Sequence, residues 1–489
     1  MRSSYAIQGT PGFTLLAESQ KEELHLASLD VLEQTGSRVF CEEALALLKK
    51  AGAHVTDGNL VRVPSHLIEW AIRTAPPRVR ICKRDGSPAM LLEGNRTYYG
   101  TGSDCPNILD YRTGQRRPFV KADVAMAARL CDALPNIDFV MSMGLVSDRP
   151  VETSDRHQFE AMLLNTAKPI VFTAHDLAGL RDIADMAAAV AGGMEELQQN
   201  PFLILYGEPI TPLKHARESM EKLLYCAEHR LPMIYAPGML RGATAPVTTA
   251  GCLVLANAEA LAGLLIAQLK REGAPVIYGG GAIVMDMHTT VGAYGAPELQ
   301  LAGMALAEMA HRYRLPRFSS AGASDSKVVD QQATIEGTLS VMSQALCGAN
   351  LVHDVGFLES GLTGSYAMML AMDEVISMVK SIMGGVLIDD EQLALAAIRR
   401  VGPDGNFISD EHTLKHFREV WYPRFLDRRN YDSWVANGKK TMADRLNEKV
   451  AEILETHVPP AMPPDISARV HQIVVDAEAR FGLASMPSA

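Results

Sequence analysis

The feature that most constrains this chain is a unit that recurs eight times: a short apolar run of β-forming residues, a loop, then a stretch whose apolar positions return every three or four residues. The runs lie at 97–101, 139–143, 169–173, 202–206, 232–236, 275–279, 317–320 and 351–355. Each is short and mostly apolar, as parallel strands covered on both faces should be. The last helical stretch carries its stripe at Met368, Met372, Val375, Val379 and Ile382. An open doubly wound sheet would usually show a glycine-rich dinucleotide turn after its first strand, and none is present. The pattern therefore predicts an α/β fold, a (β/α)8 TIM barrel over 96–385. A mostly helical N-terminal cap with short strands is expected over 1–95, and a C-terminal helical extension over 386–489.

Within the cap, helical spacing runs over 18–50 with Gly36 and Gly52 as stop signals, and β-prone runs follow at 60–63 and 79–83. After Gly385 helices are expected at 389–400 and 413–420, and a long charged helix at 439–458 suits contacts in a homo-oligomer. With 47% hydrophobic and 21% charged residues in 489, the chain can bury one large core. Its net charge of -11 argues against nucleic acid or an anionic membrane as partner, because both select basic faces. The greasiest stretch, 251–270, is interrupted by Asn257, Glu259 and Gln268, so no membrane span is expected. The N-terminus lacks the apolar core of a secretory signal, and seven scattered cysteines form no Cys-x-x-Cys pair. A reduced, cytoplasmic compartment is the expectation.

In such a barrel the loops after the strands carry the chemistry. Tyrosine stands beside glycine at four strand ends: Tyr98 and Tyr99 before Gly100, Tyr206 before Gly207 and Glu208, Tyr235 near Gly238, and Tyr278 before Gly279. Aromatic walls with a few carboxylates suit a quaternary ammonium ion, which has no N–H to donate and is held by ring faces and charge. The alternative is that these tyrosines only fill interior layers of the barrel. The seventh strand leads into Ser319 to Lys327, with Asp325 in the run, where a helix N-cap accounts for one residue but not for all. The eighth leads into His353, Asp354, Phe357 and Glu359, a histidine at a strand end with acids after it.

Other chemistries find no support. Gly279 to Gly281 is not followed by the Gly-Lys-Ser/Thr of a phosphate-binding loop, and His412 and His416 lack the intervening Glu of a zinc protease. Asp286, His288 and Gly292 approach the Asp-x-His-x-x-Gly signature of cobalamin-binding domains, but the glycine falls one place late. No metal site and no tightly bound cofactor are expected. From the residues alone, a lyase or hydrolase of a small carboxylate with His353 or Lys327 as base stays open. So does a non-catalytic quaternary amine binding protein.

Ala323-Ser-Asp-Ser-Lys327 with Asp330 and Gln332, and Ala349-Asn-Leu-Val-His-Asp-Val-Gly-Phe-Leu-Glu-Ser-Gly361, resemble the trimethylamine methyltransferase family of corrinoid-dependent methyltransferases. So do Leu29-Asp-Val-Leu-Glu-Gln-Thr-Gly36 and Asp427-Arg-Arg-Asn-Tyr-Asp-Ser-Trp434, which extends the likeness to almost the whole chain. The resemblance implies a barrel that binds a methylated amine and presents one N-methyl group to the Co(I) corrinoid (cobalamin) of a separate carrier protein. Archaeal trimethylamine enzymes of the family contain pyrrolysine. This chain is written in standard residues and resembles the non-pyrrolysine branch, whose substrates are quaternary amines such as glycine betaine, proline betaine or carnitine. On this reading Tyr98, Tyr99, Tyr206, Tyr278 and Phe357 are expected to wall the cation, and Asp104, Glu208, Asp325 and Glu359 to supply negative potential. His353 and Lys327 are expected to bind a substrate carboxylate. His353, Glu359 and Asp325 are the catalytic candidates.

Overall fold

The computed structural model describes residues 11–483. Its parallel ladders run from β1 (Tyr98–Tyr99) through β2 (139–140), β3 (Ile170–Phe172), β4 (Leu203–Gly207), β5 (Met233–Tyr235) and β6 (Val276–Tyr278) to β7 (Phe318–Ser320) and β8 (Leu351–His353). Extended ladders join β3 to β4, β4 to β5, β5 to β6, β7 to β8 and β8 to β1. Single parallel bridges, Gly100 to Phe139, Val140 to Ile170 and Tyr278 to Arg317, complete the ring. The barrel is thus closed, with all eight strands where the periodicity predicts them.

Strand alternation sets what faces inward. Val171, Ile204, Ile234, Ile277, Phe318 and Leu351 form one interior cluster. Buried aliphatic side chains of this kind stabilise by roughly 1.5–3 kcal/mol each. The hairpin of Val79–Cys82 and Pro88–Leu92 joins the same cluster. It plugs the end of the barrel where the strands begin, leaving the other end free for a site. The residues between the inward ones, Leu205, Tyr235 and Tyr278 among them, pack into the helical layer.

The helix Thr249–Lys270 has the length and apolarity of a membrane span, yet it is mostly buried inside the protein. The N-terminal helices Glu18–Asp30, Glu42–Ala51 and Ser65–Thr74 cover it. Its buried Asn257, Glu259 and Gln268 are all partnered. Asn257 donates to the Tyr313 hydroxyl (2.9 Å) and accepts from that of Tyr278 (2.8 Å), Glu259 accepts from the Leu213 amide (2.6 Å), and Gln268 donates to the Ala274 carbonyl (2.9 Å).

Within 18–50 the structure interposes a strand, Ser37–Val39, between two helices. It pairs with Leu60–Arg62 and with Lys214–His215, and the left-handed turn at Gly36 (φ +77°) admits it. Over 386–440 the helices Leu395–Val401 and Glu411–His416 are shorter than the periodicity predicts, and a third short one, Tyr431–Ala436, lies where none is predicted. Two longer ones, Met442–Thr456 and Pro464–Arg480, pack on barrel helices. The last is tied down by polar contacts: His157 Nε2 meets Glu478 at 3.0 Å, and Glu160 takes both Lys121 (2.6 Å) and His471 (2.8 Å). All seven cysteines are buried and unbridged.

Candidate active site

A cavity of about 540 Å³ opens at the carboxyl end of the barrel. Its polar floor comes from three strand ends: Asp104 after β1, Tyr206 and Glu208 at the end of β4, and His353 with Asp354 at the end of β8. Phe318, Phe357 and Tyr294 add rings. Tyr206, Phe318 and His353 form a continuous aromatic face, with ring centroids 5.4 Å apart for Tyr206 and Phe318 and 4.2 Å for Phe318 and His353. Aspartate and glutamate are represented three times in the lining, and lysine and arginine are absent from it.

Burial strips His353 of its proton, bringing it down to about 4 against the opposing pull of the Ser319 carbonyl and the Asp104 charge. The ring is neutral, and its Nδ1–H donates to that carbonyl at 2.8 Å. Nε2 then carries a lone pair and faces Asp354 Oδ1 at 3.2 Å. Burial, reinforced by the Asp104 charge, holds the Asp354 carboxyl well above the ordinary range. The proton between them therefore sits on Asp354, which donates it to Nε2. Asp354 occupies the left-handed region (φ +75°), which aspartate tolerates better than most residues.

Asp104 and Glu208 have protein around them and one face open to the cavity. The Asp104 carboxyl is raised by burial, against a hydrogen bond from Ser103 (2.8 Å). Glu208 is pushed up to about 7, chiefly by burial, with the Tyr206 hydroxyl hydrogen-bonded to it and opposing the rise. Three acids crowd a space with no cationic side chain in its wall. Asp104 and Glu208, which face the cavity, are poised to ionise when positive charge arrives.

The structure gathers Asp104, Tyr206, Glu208, His353 and Phe357 at the cavity. It corrects the other expectations. Tyr99 and Tyr278 follow the strand alternation outward, to the Val341 carbonyl (3.2 Å) and Asn257 (2.8 Å). Tyr98 points inward, but at the plugged end, where its hydroxyl accepts from the Leu91 amide (3.2 Å). Lys327 lies outside the cavity and donates to the Asp325 carbonyl (2.7 Å). Glu359 is paired with Arg116 (2.8 Å) and Thr363 (2.5 Å) instead of lining the cavity. Asp325 is a clamp: it accepts from the amides of Tyr294 (2.7 Å) and Gly295 (2.9 Å) and from Ser360 (2.7 Å), and so sets the Tyr294 ring.

Among the aromatic and acidic lining residues, Tyr294 and Phe318 were not singled out by the sequence, and Asp354 was noted after the eighth strand without a role. Inward parity on β7 marks Phe318, whereas nothing in the sequence marks Tyr294, carried on the excursion after β6. Close approach also shapes the site. A Cβ on Gly102 would come 2.4 Å from Asp354 Oδ1 and 2.3 Å from the Phe357 ring, so only glycine leaves room for both.

The sequence profile of the trimethylamine methyltransferase family matches residues 2–482. The chain belongs to that family. It is 34% identical to the trimethylamine methyltransferase of Desulfitobacterium hafniense, over 97% of this chain and 96% of the relative. It is 30% identical to a glycine betaine methyltransferase of the same species, over 96% and 98%. The monomethylamine methyltransferase of Methanosarcina barkeri aligns in space with a TM-score of 0.48 at 12% identity, covering 92% of this chain and 89% of the other. Membership makes the chain a methyltransferase and sets aside the lyase, hydrolase and pure binding readings. The two strand-end runs that carry the resemblance divide in this structure: the one after β8 supplies His353, Asp354 and Phe357 to the cavity, and the one after β7 braces it from behind through Asp325.

Proposed function

We propose that the chain moves a methyl group from a quaternary amine, such as glycine betaine, proline betaine or carnitine, to the Co(I) corrinoid of a separate carrier protein. The observation that carries this reading is the lining itself: three carboxyl groups and a face of aromatic rings, with no lysine or arginine among them. A quaternary nitrogen offers no hydrogen to donate, so ring faces and negative potential are what can hold it. Similarity to a glycine betaine methyltransferase supports the same class.

A complete corrinoid, with its side chains and nucleotide tail, is far larger than the 540 Å³ cavity. We therefore read the corrinoid as a co-substrate brought to the mouth by its carrier. There Co(I) supplies the nucleophile that takes the methyl group, and a neutral tertiary amine is left. The work of this chain is to position the donor and to exclude water. Tyr206, Phe318, the neutral His353 ring and Phe357 press on the N-methyl groups. Asp104 and Glu208 face the positive charge, and Asp354 holds the His353 ring in its orientation. A quaternary ammonium already has a good leaving group, so the cavity needs no strong acid. For a betaine, the carboxylate end meets hydroxyl donors, Ser320 and Thr244, instead of an ion pair.

The test is to incubate the chain with cob(I)alamin or its carrier protein and a panel of methylated amines, following methylcobalamin in the visible spectrum. Methyl transfer from a quaternary amine, with slower or no transfer from trimethylamine, is expected. Transfer from trimethylamine alone would overturn the quaternary assignment, and turnover without any corrinoid would overturn the acceptor.

A further inference from the structure

The positive side chains whose charges bear on the cavity acids are spent elsewhere. Arg317, which acts on His353, is fully buried and donates to the carbonyls of Tyr278 (3.4 Å) and Gly280 (2.6 Å). Lys222, which acts on Glu208, donates to the Ala174 carbonyl, and Arg116 is held by Glu359 (2.8 Å) and Thr363 (3.1 Å). Among the described residues that line the cavity, no lysine or arginine is left to meet a carboxylate on the ligand. The acids, meanwhile, already oppose one another. Burial and then the Asp104 charge raise Asp354, and the charges of Asp104 and Asp354 add to the burial that raises Glu208. What remains of the polar lining is hydroxyl. Ser320 Oγ makes no hydrogen bond to any described residue, and Thr244 Oγ1 accepts from the Leu240 amide (2.9 Å) while keeping its hydrogen to give. Ser320 is the register partner of His353 across β7 and β8, so it stands about 4.8 Å from that strand, beside the acids and not at a separate end of the cavity.

We infer that the preferred methyl donor is a quaternary amine of net positive charge whose tail ends in a neutral hydrogen-bonding group, such as an alcohol or an amide, and that zwitterions of the same class are the poorer donors. The inference rests on the quaternary amine reading and ranks the substrates within it, the betaines falling below their uncharged-tail counterparts. In glycine betaine the carboxylate is two bonds from the nitrogen. Any pose that sets the nitrogen among Asp104, Glu208 and Asp354 therefore brings a fourth acid into the same space, without a cation to receive it. Uncompensated like charge is how a site rejects a ligand of the right shape. A hydroxyl tail meets no such penalty, because it donates to a carboxylate and accepts from Ser320 or Thr244 with the same oxygen.

The experiment is calorimetric binding of four probes to the full chain, with methylcobalamin formation followed for the three that carry N-methyl groups. The probes are choline, glycine betaine, glycine betaine amide, whose tail has the shape of the carboxylate without its charge, and dimethylbutanol, the neutral carbon isostere of choline. Choline and the amide are expected to bind at least about tenfold more tightly than glycine betaine, with kcat/KM in the same order and the neutral alcohol weakest. Glycine betaine binding as tightly as choline and the amide overturns this inference and leaves the quaternary amine reading standing. Dimethylbutanol binding as tightly as choline, or transfer from none of the three amines, overturns both. Ser320→Lys supplies an independent measurement by setting an ammonium beside His353: the preference for choline should shrink or reverse. A folded variant that keeps the wild-type ranking overturns the charge argument, and the probe series on the wild type decides the matter if the variant fails to fold.

Discussion

Replacing Glu208 by Gln separates the charge of the cavity from its shape, because glutamine keeps a hydrogen-bonding partner for the Tyr206 hydroxyl and removes the titration. In the free protein the Glu208 carboxyl titrates near 7. It is therefore about one-tenth ionised at pH 6 and about nine-tenths at pH 8. A bound quaternary ammonium favours the ionised form, so the association constant should rise by up to about tenfold between these values, with most of the change around neutrality. The open face of Glu208 screens the charge and makes tenfold the ceiling. Below pH 7 binding should also release a proton, visible in titration calorimetry as a heat that depends on the ionisation enthalpy of the buffer. The sign for stability is the reverse. A raised carboxyl keeps its proton in the folded protein from its ordinary value of 4.5 up to about 7, so stability from this group declines as pH rises through that window. Glu208→Gln should lose the slope in both measurements. A wild type with flat binding from pH 6 to 8, or a variant that keeps the slope, would refute the assignment of Glu208 to the cation.

Other substitutions test the walls and the scaffold. His353→Ala opens the face shared with Phe318 and Tyr206 and should raise KM roughly tenfold or more; because the ring titrates near 4, rate profiles between pH 6 and 8 should show no inflection from it. Gly102→Ala drives a methyl group into Asp354 and Phe357, and about 1–3 kcal/mol of stability should go with the activity, read by thermal unfolding. Asp325→Ala leaves the Tyr294 and Gly295 amides without their acceptor, at a cost of about 1–3 kcal/mol, and should raise KM more than it lowers kcat, with partial recovery in Asp325→Asn. Asp354→Asn should leave folding intact, since the native carboxyl is already neutral and an amide N–H can serve His353 Nε2; a collapse of stability would show that Asp354 is charged.

The barrel was legible because its signal is local and repeated. Each strand announces itself by a short apolar run, and a parallel strand needs the helix that follows it. The site was legible only in part. Tyr98, Tyr99, Tyr206 and Tyr278 look alike in sequence, each beside a glycine or another tyrosine. They divide by strand parity and by height in the barrel, so only Tyr206 is both inward and at the open end. Asp325 and Glu359 carry the chemistry of catalytic acids, yet their oxygens are taken up by Tyr294, Gly295 and Ser360 in one case and by Arg116 and Thr363 in the other.

By itself the sequence determined the closed (β/α)8 architecture, the end of the barrel at which the candidate site opens, and through its motifs the family. These follow from periodicities and short spacings that the backbone reads one segment at a time. The tertiary structure alone decided which acids stay free and which are spent on scaffolding, because a carboxylate is free only when no amide or arginine from a distant strand end reaches it. It also placed the proton on Asp354 and not on His353. Residue type sets an ordinary pKa, and burial among chain segments hundreds of residues apart moved both groups away from theirs.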